Sequence, residues 1–200
     1  MARARDPKPS ADPAILDVRS PGDWEQWLDR NHQTLPQGVW LRLFKKGRGE
    51  ATLDYSGAVE VALCFGWIDG QGRPHDDESH LQRFTPRRRA SVWSKVNTER
   101  AERLIQSGRM RSAGQREVDA AKADGRWDQA YDPPSRAVIP DDFLVELNKH
   151  KKAAEFFATL NKRNTYPVAH RLQTARTPET RAKRIQTIIA MFERGEKFYD

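Results

Sequence analysis

The chain has 200 residues, 37% hydrophobic and 32% charged, with a net charge of +7. That suffices for one domain with a real core or a domain with a small appendage. The longest nearly apolar run, Val61 to Ile68, falls far short of the ~20 residues a membrane span needs. One cysteine, Cys64, excludes an internal disulfide, and the N-terminus MARARDPKPSADP has no apolar stretch behind its basic residues. A soluble, cytoplasmic protein is therefore expected. Two basic blocks, residues 83–116 and 149–197, are separated by an acidic one at 117–148. Such blocks serve as local anion-binding faces or neutralise each other within the fold.

Residues 1–14, rich in Pro, Ala, Asp and Arg without periodicity, read as a disordered tail. Ser20-Pro21 starts the first helix, with Trp24, Trp27 and Leu28 on its apolar face. Gly38 to Lys45 alternates as a strand with apolar residues on both faces, a central position in a sheet. Ser56 caps a second helix that buries Ala58, Val59, Ala62 and Leu63 and ends near Gly66. Trp67 to Asp69 reads as a strand running into a turn at Gly70-Gln71-Gly72, and Leu81 to Thr85 as its partner across a hairpin tipped by HDDES. Asn97 or Thr98 caps a helix burying Ala101, Leu104 and Ile105, stopped by Gly108, and another helix spans about Ser112 to Lys122.

Residues 125–140 hold three prolines and are expected to form a linker or a long surface loop, a boundary between an N-terminal domain (15–124) and a helical domain (141–197). In the latter, Asp141 or Asp142 caps a helix carrying Phe143, Leu144 and Leu147, and a second helix runs from Ala153 to Leu160. Tyr166-Pro167 opens a third helix, and Thr177-Pro178-Glu179 opens the last, which ends at Gly195. The predicted class is α+β: a small antiparallel sheet with packed helices, then a helical C-terminal unit.

The block from Phe143 through AAEFFATL to TARTPETRAKRIQTIIAMFERGE, with TPETRAKRI at Thr177 to Ile185 as its key phrase, resembles the bacteriocin-protection, YdeI or OmpD-associated family. The first half is similar to the region accompanying that domain, through VWLRLFKKG, ALCFGWIDG, DDES, RFTPR and SVWSKVN in order, so the resemblance covers residues 20–196. It implies a link to envelope stress and antimicrobial-peptide tolerance, and it carries over no catalytic residue.

The stretch Cys64 to Asn97 combines tryptophans and arginines with glycine and proline turns, a composition suited to holding an anionic or planar ligand. Arg83, Thr85 and Arg87 lie two apart, on one face of an extended segment stiffened by Pro86. Arg83 and Arg87 are expected to hold the anion, Trp67 and Trp93 to wall the pocket, and Asn97 to add the N–H groups of a helix start. The competing reading pairs these arginines with Asp69, Asp76, Asp77 and Glu78 across the hairpin.

Asp69 is a candidate general base in an enzymatic alternative, although Asp before Gly more often holds a turn. Cys64, with no histidine near in sequence, reads as a buried structural thiol. His75 and His80 flank acids at a spacing that fits no standard metal loop, and no GxxxxGK[ST] or GxGxxG occurs, so neither metal nor cofactor is expected. Lys149, Lys151, Lys152, Lys162, Arg163, Arg181, Lys183 and Arg184 read as solvated helix faces. Binding of an anionic small molecule is the expected function. Catalysis on such a molecule with Asp69 as base, and salt-sensitive contact with nucleic-acid phosphates, are the alternatives.

Overall fold

A computed structural model describes residues 12–48 and 52–200, so most of the expected disordered tail (1–14) lies outside the described residues. Its last three residues are held in place: the Trp40 backbone N–H donates to the Ala14 carbonyl at 3.0 Å, and Trp40 Nε1 donates to Asp12 at 3.4 Å. The chain forms two compact units. One contains the described residues to Arg89 with Ala101–Asp119, and the other Ala90–Arg100 with Ala120–Asp200.

The first unit is built on four strands, β1 (Ile15–Leu16), β2 (Val39–Phe44), β3 (Trp67–Pro74) and β4 (Ser79–Pro86), in the order β1-β2-β4-β3. The β2–β4 and β4–β3 pairs are antiparallel as expected, whereas β1 adds to β2 in parallel, making the sheet mixed. A two-residue strand has no periodicity to reveal it. Helix α1 (Pro21–Asn31) starts at the anticipated Ser20, which forms a reciprocal capping box with Asp23. Helix α2 (Tyr55–Cys64) is capped by Asp54, not Ser56, and the Asp54 carboxylate accepts from the Gly57 N–H at 2.7 Å. The β3–β4 hairpin forms, but Gly70-Gln71-Gly72 is no turn. These residues lie within β3 as a bulge, between Asp69 opposite Phe84 and Gly72 opposite Gln82.

Alternation along the strands decides what each sheet face meets. Val39, Leu41 and Phe84 share the face covered by α1, where the Trp24 ring lies 5.6 Å from Phe84 and 6.3 Å from Trp67. Both buried indoles are satisfied: Trp24 Nε1 donates to the Ala58 carbonyl and Trp67 Nε1 to the His32 carbonyl, each at 3.1 Å. The opposite face carries Trp40 and Phe44, stacked beneath arginines. Arg73 lies 4.2 Å from the Trp40 ring centroid, and Arg19 and Arg42 each lie 4.6 Å from that of Phe44.

Helices α3 (Lys95–Gln106) and α4 (Ser112–Ala123) each contribute residues to both units. Helix α3 begins earlier than predicted: the Ser94 hydroxyl accepts from the Asn97 N–H, which puts Asn97 inside the first turn. The second unit contains α5 (Asp141–Leu147), α6 (Lys151–Ala158), α7 (Lys162–Gln173) and α8 (Pro178–Glu193), with α8 packed against the other three. Phe143, Leu147, Val168, Leu172, Ile188, Ile189 and Phe192 form its core. Pro140, not an aspartate, occupies the α5 cap position. Asn161 caps α7, and Pro167 sits within that helix instead of opening it.

Residues 125–140 are no free tether. Trp127 packs on Trp93 with ring centroids 4.9 Å apart, and Tyr131 forms a parallel bridge with Ser94. Asp132 takes Lys95 at 2.8 Å and Gln173 Nε2 at 2.9 Å. The prolines interrupt secondary structure without releasing the segment from its unit.

Candidate functional site

The sheet pleat separates the side chains that the sequence placed together. Directly opposed residues in a ladder share a face. Asp69 therefore lies on the helix-covered side with Phe84, and Arg83 lies on the other side with its partner Trp40. Trp67 is 1% exposed, a core side chain with no indole face left to wall a pocket. Arg83 donates to the Gln37 carbonyl and lies 5.5 Å from the Trp40 ring centroid. Burial, and then the neighbouring Arg73, push its pKa down, while Asp12 opposes them. Thr85 is partly buried, with its methyl against Gly38. Arg87 is 7% exposed and its backbone N–H donates to the Gly66 carbonyl.

Trp93 and Asn97 belong to the other unit, where both are buried. The Asn97 Oδ1 accepts from Arg100 Nη1 at 3.2 Å.

The hairpin acids do pair with an arginine, but it is Arg42. Its guanidinium donates to Asp76 at 2.7 Å, Asp17 at 3.1 Å and the Ser79 hydroxyl at 2.9 Å. The Asp76 carboxyl falls to about 2, chiefly because the Ser79 hydroxyl donates to it. Asp69 accepts from the Tyr55 hydroxyl at 2.6 Å. Burial pushes the Cys64 thiol up to about 11, which removes the thiolate a nucleophile requires.

The second unit holds a different cationic arrangement. Tyr166, Pro167, His170 and Arg171 fall on one side of α7 and, with Thr174 at its C-cap, Arg184 of α8 and Tyr199, line a cleft of about 480 Å³. An adjoining cleft of about 660 Å³ is lined by Arg171, by Thr180, Lys183, Arg184, Thr187, Ile188 and Met191 along α8, and by Lys197 and Phe198. Arg171 and Arg184 belong to both clefts, and no Asp or Glu lines either.

The segment after Gly195 folds back to complete these walls. Asn164, 4% exposed, clasps the Tyr199 backbone: its Nδ2 donates to the carbonyl at 3.1 Å, and its Oδ1 accepts from the N–H at 2.9 Å. Phe198 packs edge-on against Phe192, and Arg171 lies 4.9 Å from the Phe198 ring centroid.

Two of the arginines also finish α7. Its last turn leaves carbonyls without intrahelical partners. Arg184 Nη1 donates to the Arg171 carbonyl and to Thr174 Oγ1, and Arg181 Nη1 donates to the Leu172 carbonyl at 2.7 Å. His170 is flanked by Tyr131 and Tyr166, at ring separations of 4.6 and 5.9 Å. Burial, then the charges of Arg171 and Arg184, depress its pKa.

In the sequence Lys183 and Arg184 read only as solvated charge, and no motif marks His170, Arg171, Tyr166 or Tyr199 as site residues. A usable signal was present. Along α7 and its C-cap the residues 166, 167, 170, 171 and 174, and on α8 the residues 180, 183, 184, 187, 188 and 191, follow helical spacing.

Fold and cleft together define an α+β chain whose helical C-terminal unit presents a cation-lined surface depression. Among the described residues no helix is long and apolar enough to cross a membrane. The chain belongs to the family of the domain of unknown function DUF8412, whose model matches residues 16–117, just over half of the sequence. Residues 136–195 match the bacteriocin-protection, YdeI or OmpD-associated domain. The resemblance read over residues 20–196 therefore resolves into two families, and the YdeI/OmpD-associated one occupies the C-terminal part. No curated protein and no solved structure matches the chain.

Proposed function

We propose that the protein is a cytoplasmic binder of a small anionic ligand, held by the clefts on α7 and α8. The carrying observation is the lining: Arg171, Lys183, Arg184 and Lys197 converge with no carboxylate among them. On the sheet, two arginines are paired with carboxylates. Arg42 serves Asp17 and Asp76, and Arg73 serves Asp12. Guanidinium forks facing a partly apolar cleft favour phosphate or carboxylate oxygens. Both volumes fall in the range of about 300–1,000 Å³ of small-molecule sites. The anion is assigned here and not to Arg83 and Arg87, because Arg87 is buried and Arg83 packs over Trp40 on the sheet face opposite Trp67 and Asp69. A role in stress or antimicrobial-peptide tolerance belongs to the same proposal and draws its support from the family description of residues 136–195.

The test is thermal unfolding of the intact protein with inorganic phosphate and pyrophosphate at low and physiological salt. Stabilisation is expected to grow with ligand concentration and to weaken with salt. Arg171→Gln is the cleaner probe, because Arg184 also caps α7. Without ligand the variant should unfold within about 1 kcal/mol of the parent, the worth of its stacking on Phe198, and it should lose most of the ligand-dependent shift. Equal stabilisation of parent and Arg171→Gln, or none at low salt, overturns the assignment.

A further inference from the structure

We infer that the ligand is an amphiphilic anion, with its charged head at Arg171 and Arg184 and an apolar chain over Ile188, Met191 and Phe198. This rests on the anion reading above and adds the chemical class of what the anion carries. The two clefts differ in the material beside the shared arginines. The smaller offers Tyr166, His170, Thr174 and Tyr199, a polar and aromatic surround. The larger has an apolar floor, with Ile188 on the core side of α8 and Met191 and Phe198 partly exposed beside it.

A free phosphate or short dicarboxylate would use the arginines and leave the exposed parts of Met191 and Phe198 in water. An apolar chain attached to the anionic head would cover it. Met191 and Phe198, both partly buried, suit a chain of variable shape, since a thioether adapts its rotamers to what it meets. The rim agrees with this orientation. Lys183 and Lys197 line the larger cleft with Thr180 and Thr187. A lysine ammonium can keep its charge in water while its stem covers apolar surface.

The experiment measures the affinity of the intact protein for acetate, butyrate, hexanoate and octanoate by titration calorimetry. Butyl and hexyl phosphate serve as a second head-group series. Within either series each added methylene should tighten binding about three- to fourfold, as full burial of a CH₂ group requires. Met191→Gln should flatten that dependence, whereas Arg171→Gln should weaken every member by a similar factor.

A flat chain-length series in the parent, with inorganic phosphate still bound through Arg171, overturns the amphiphile and leaves the anion site standing. A steep series untouched by Met191→Gln also overturns it, because the chain then lies elsewhere. Failure of every probe to bind at low salt removes both readings. A carboxylate series tighter than the phosphate series, or the reverse, identifies the head group and supports the assignment either way.

Discussion

Arg181 joins three helices through one side chain. Its Nε and Nη2 each donate to the Asp142 carboxylate at 2.7 Å, joining α8 to α5, and its Nη1 caps the Leu172 carbonyl of α7. A bidentate charge-assisted pair is among the stronger polar contacts, although the half-exposed carboxylate limits its worth. Arg181→Ala should lower the stability of the intact protein by about 1–2 kcal/mol in urea unfolding. An unchanged midpoint would show that the pair is ornamental.

The same contacts set a pH dependence. The Asp142 pKa is depressed, first by the Arg181 hydrogen bonds. Its stabilisation is therefore complete above the ordinary aspartate value and is lost as pH falls from that value through the lower folded-state pKa. The His170 pKa is also depressed, here by burial and by Arg171 and Arg184, with Tyr131 and Tyr166 as its ring neighbours. The unfolded chain then takes up this proton more readily than the folded one, so stability falls as pH drops below about 6.5. His170→Gln should flatten the change in urea midpoint between about pH 7 and pH 5. An identical slope in parent and variant would remove His170 as its source. None of this was legible in the sequence, because His170 looks isolated until helix packing brings Arg184 beside Arg171.

Secondary elements were far more legible, because apolar spacing and cap residues are local. The Ser20-Pro21 and Thr177-Pro178 helix starts are where cap chemistry placed them. Failures came where a second local signal competed. Asp54 outcompetes Ser56 as a cap two residues earlier, and Pro167 looked like a helix start although Asn161 had already supplied one. Close approach between elements leaves a fainter trace.

Gly114 lies within α4, where glycine costs about 1 kcal/mol relative to alanine. Its value is spatial: a Cβ there would meet the Leu63 carbonyl and stand 2.5 Å from the Cys64 carbonyl at the end of α2. Backbone oxygens cannot swing aside as a side chain can, so the overlap outweighs the propensity gain. Gly114→Ala should therefore destabilise the protein by about 1–3 kcal/mol. A measured stabilisation would mean that α4 relaxes away from α2 at little cost.

At the scale of the whole chain, the class was readable and the contacts of the proline-rich stretch were not. Alternating strands followed by amphipathic helices gave α+β directly. The proline-rich stretch suggested a boundary at 125–140, because composition cannot reveal that Trp127 packs on Trp93 or that Asp132 binds Lys95. That Asp69 and Arg83 lie on opposite sheet faces was hidden for a related reason. Arginines two apart do share a strand face, but only the register and the covering helices decide which face a ligand can reach.

The family match over 136–195 stops before the segment that closes the clefts. That segment is held by the buried Asn164 amide, which would lose two backbone partners if residues 196–200 were removed. Phe198 would also leave Phe192. Unsatisfied buried amide groups cost about 1–3 kcal/mol, so truncation after Gly195 should destabilise the otherwise intact chain by at least that order. It should also weaken the phosphate-dependent thermal shift, because Lys197, Phe198 and Tyr199 supply cleft walls. Asn164→Ala in the untruncated protein separates the two effects: it removes the clasp, keeps the walls' chemistry, and should reproduce most of the stability loss. If truncation changes neither the urea midpoint nor the phosphate response, the folded-back segment is a bystander, and the matched domain alone builds the site.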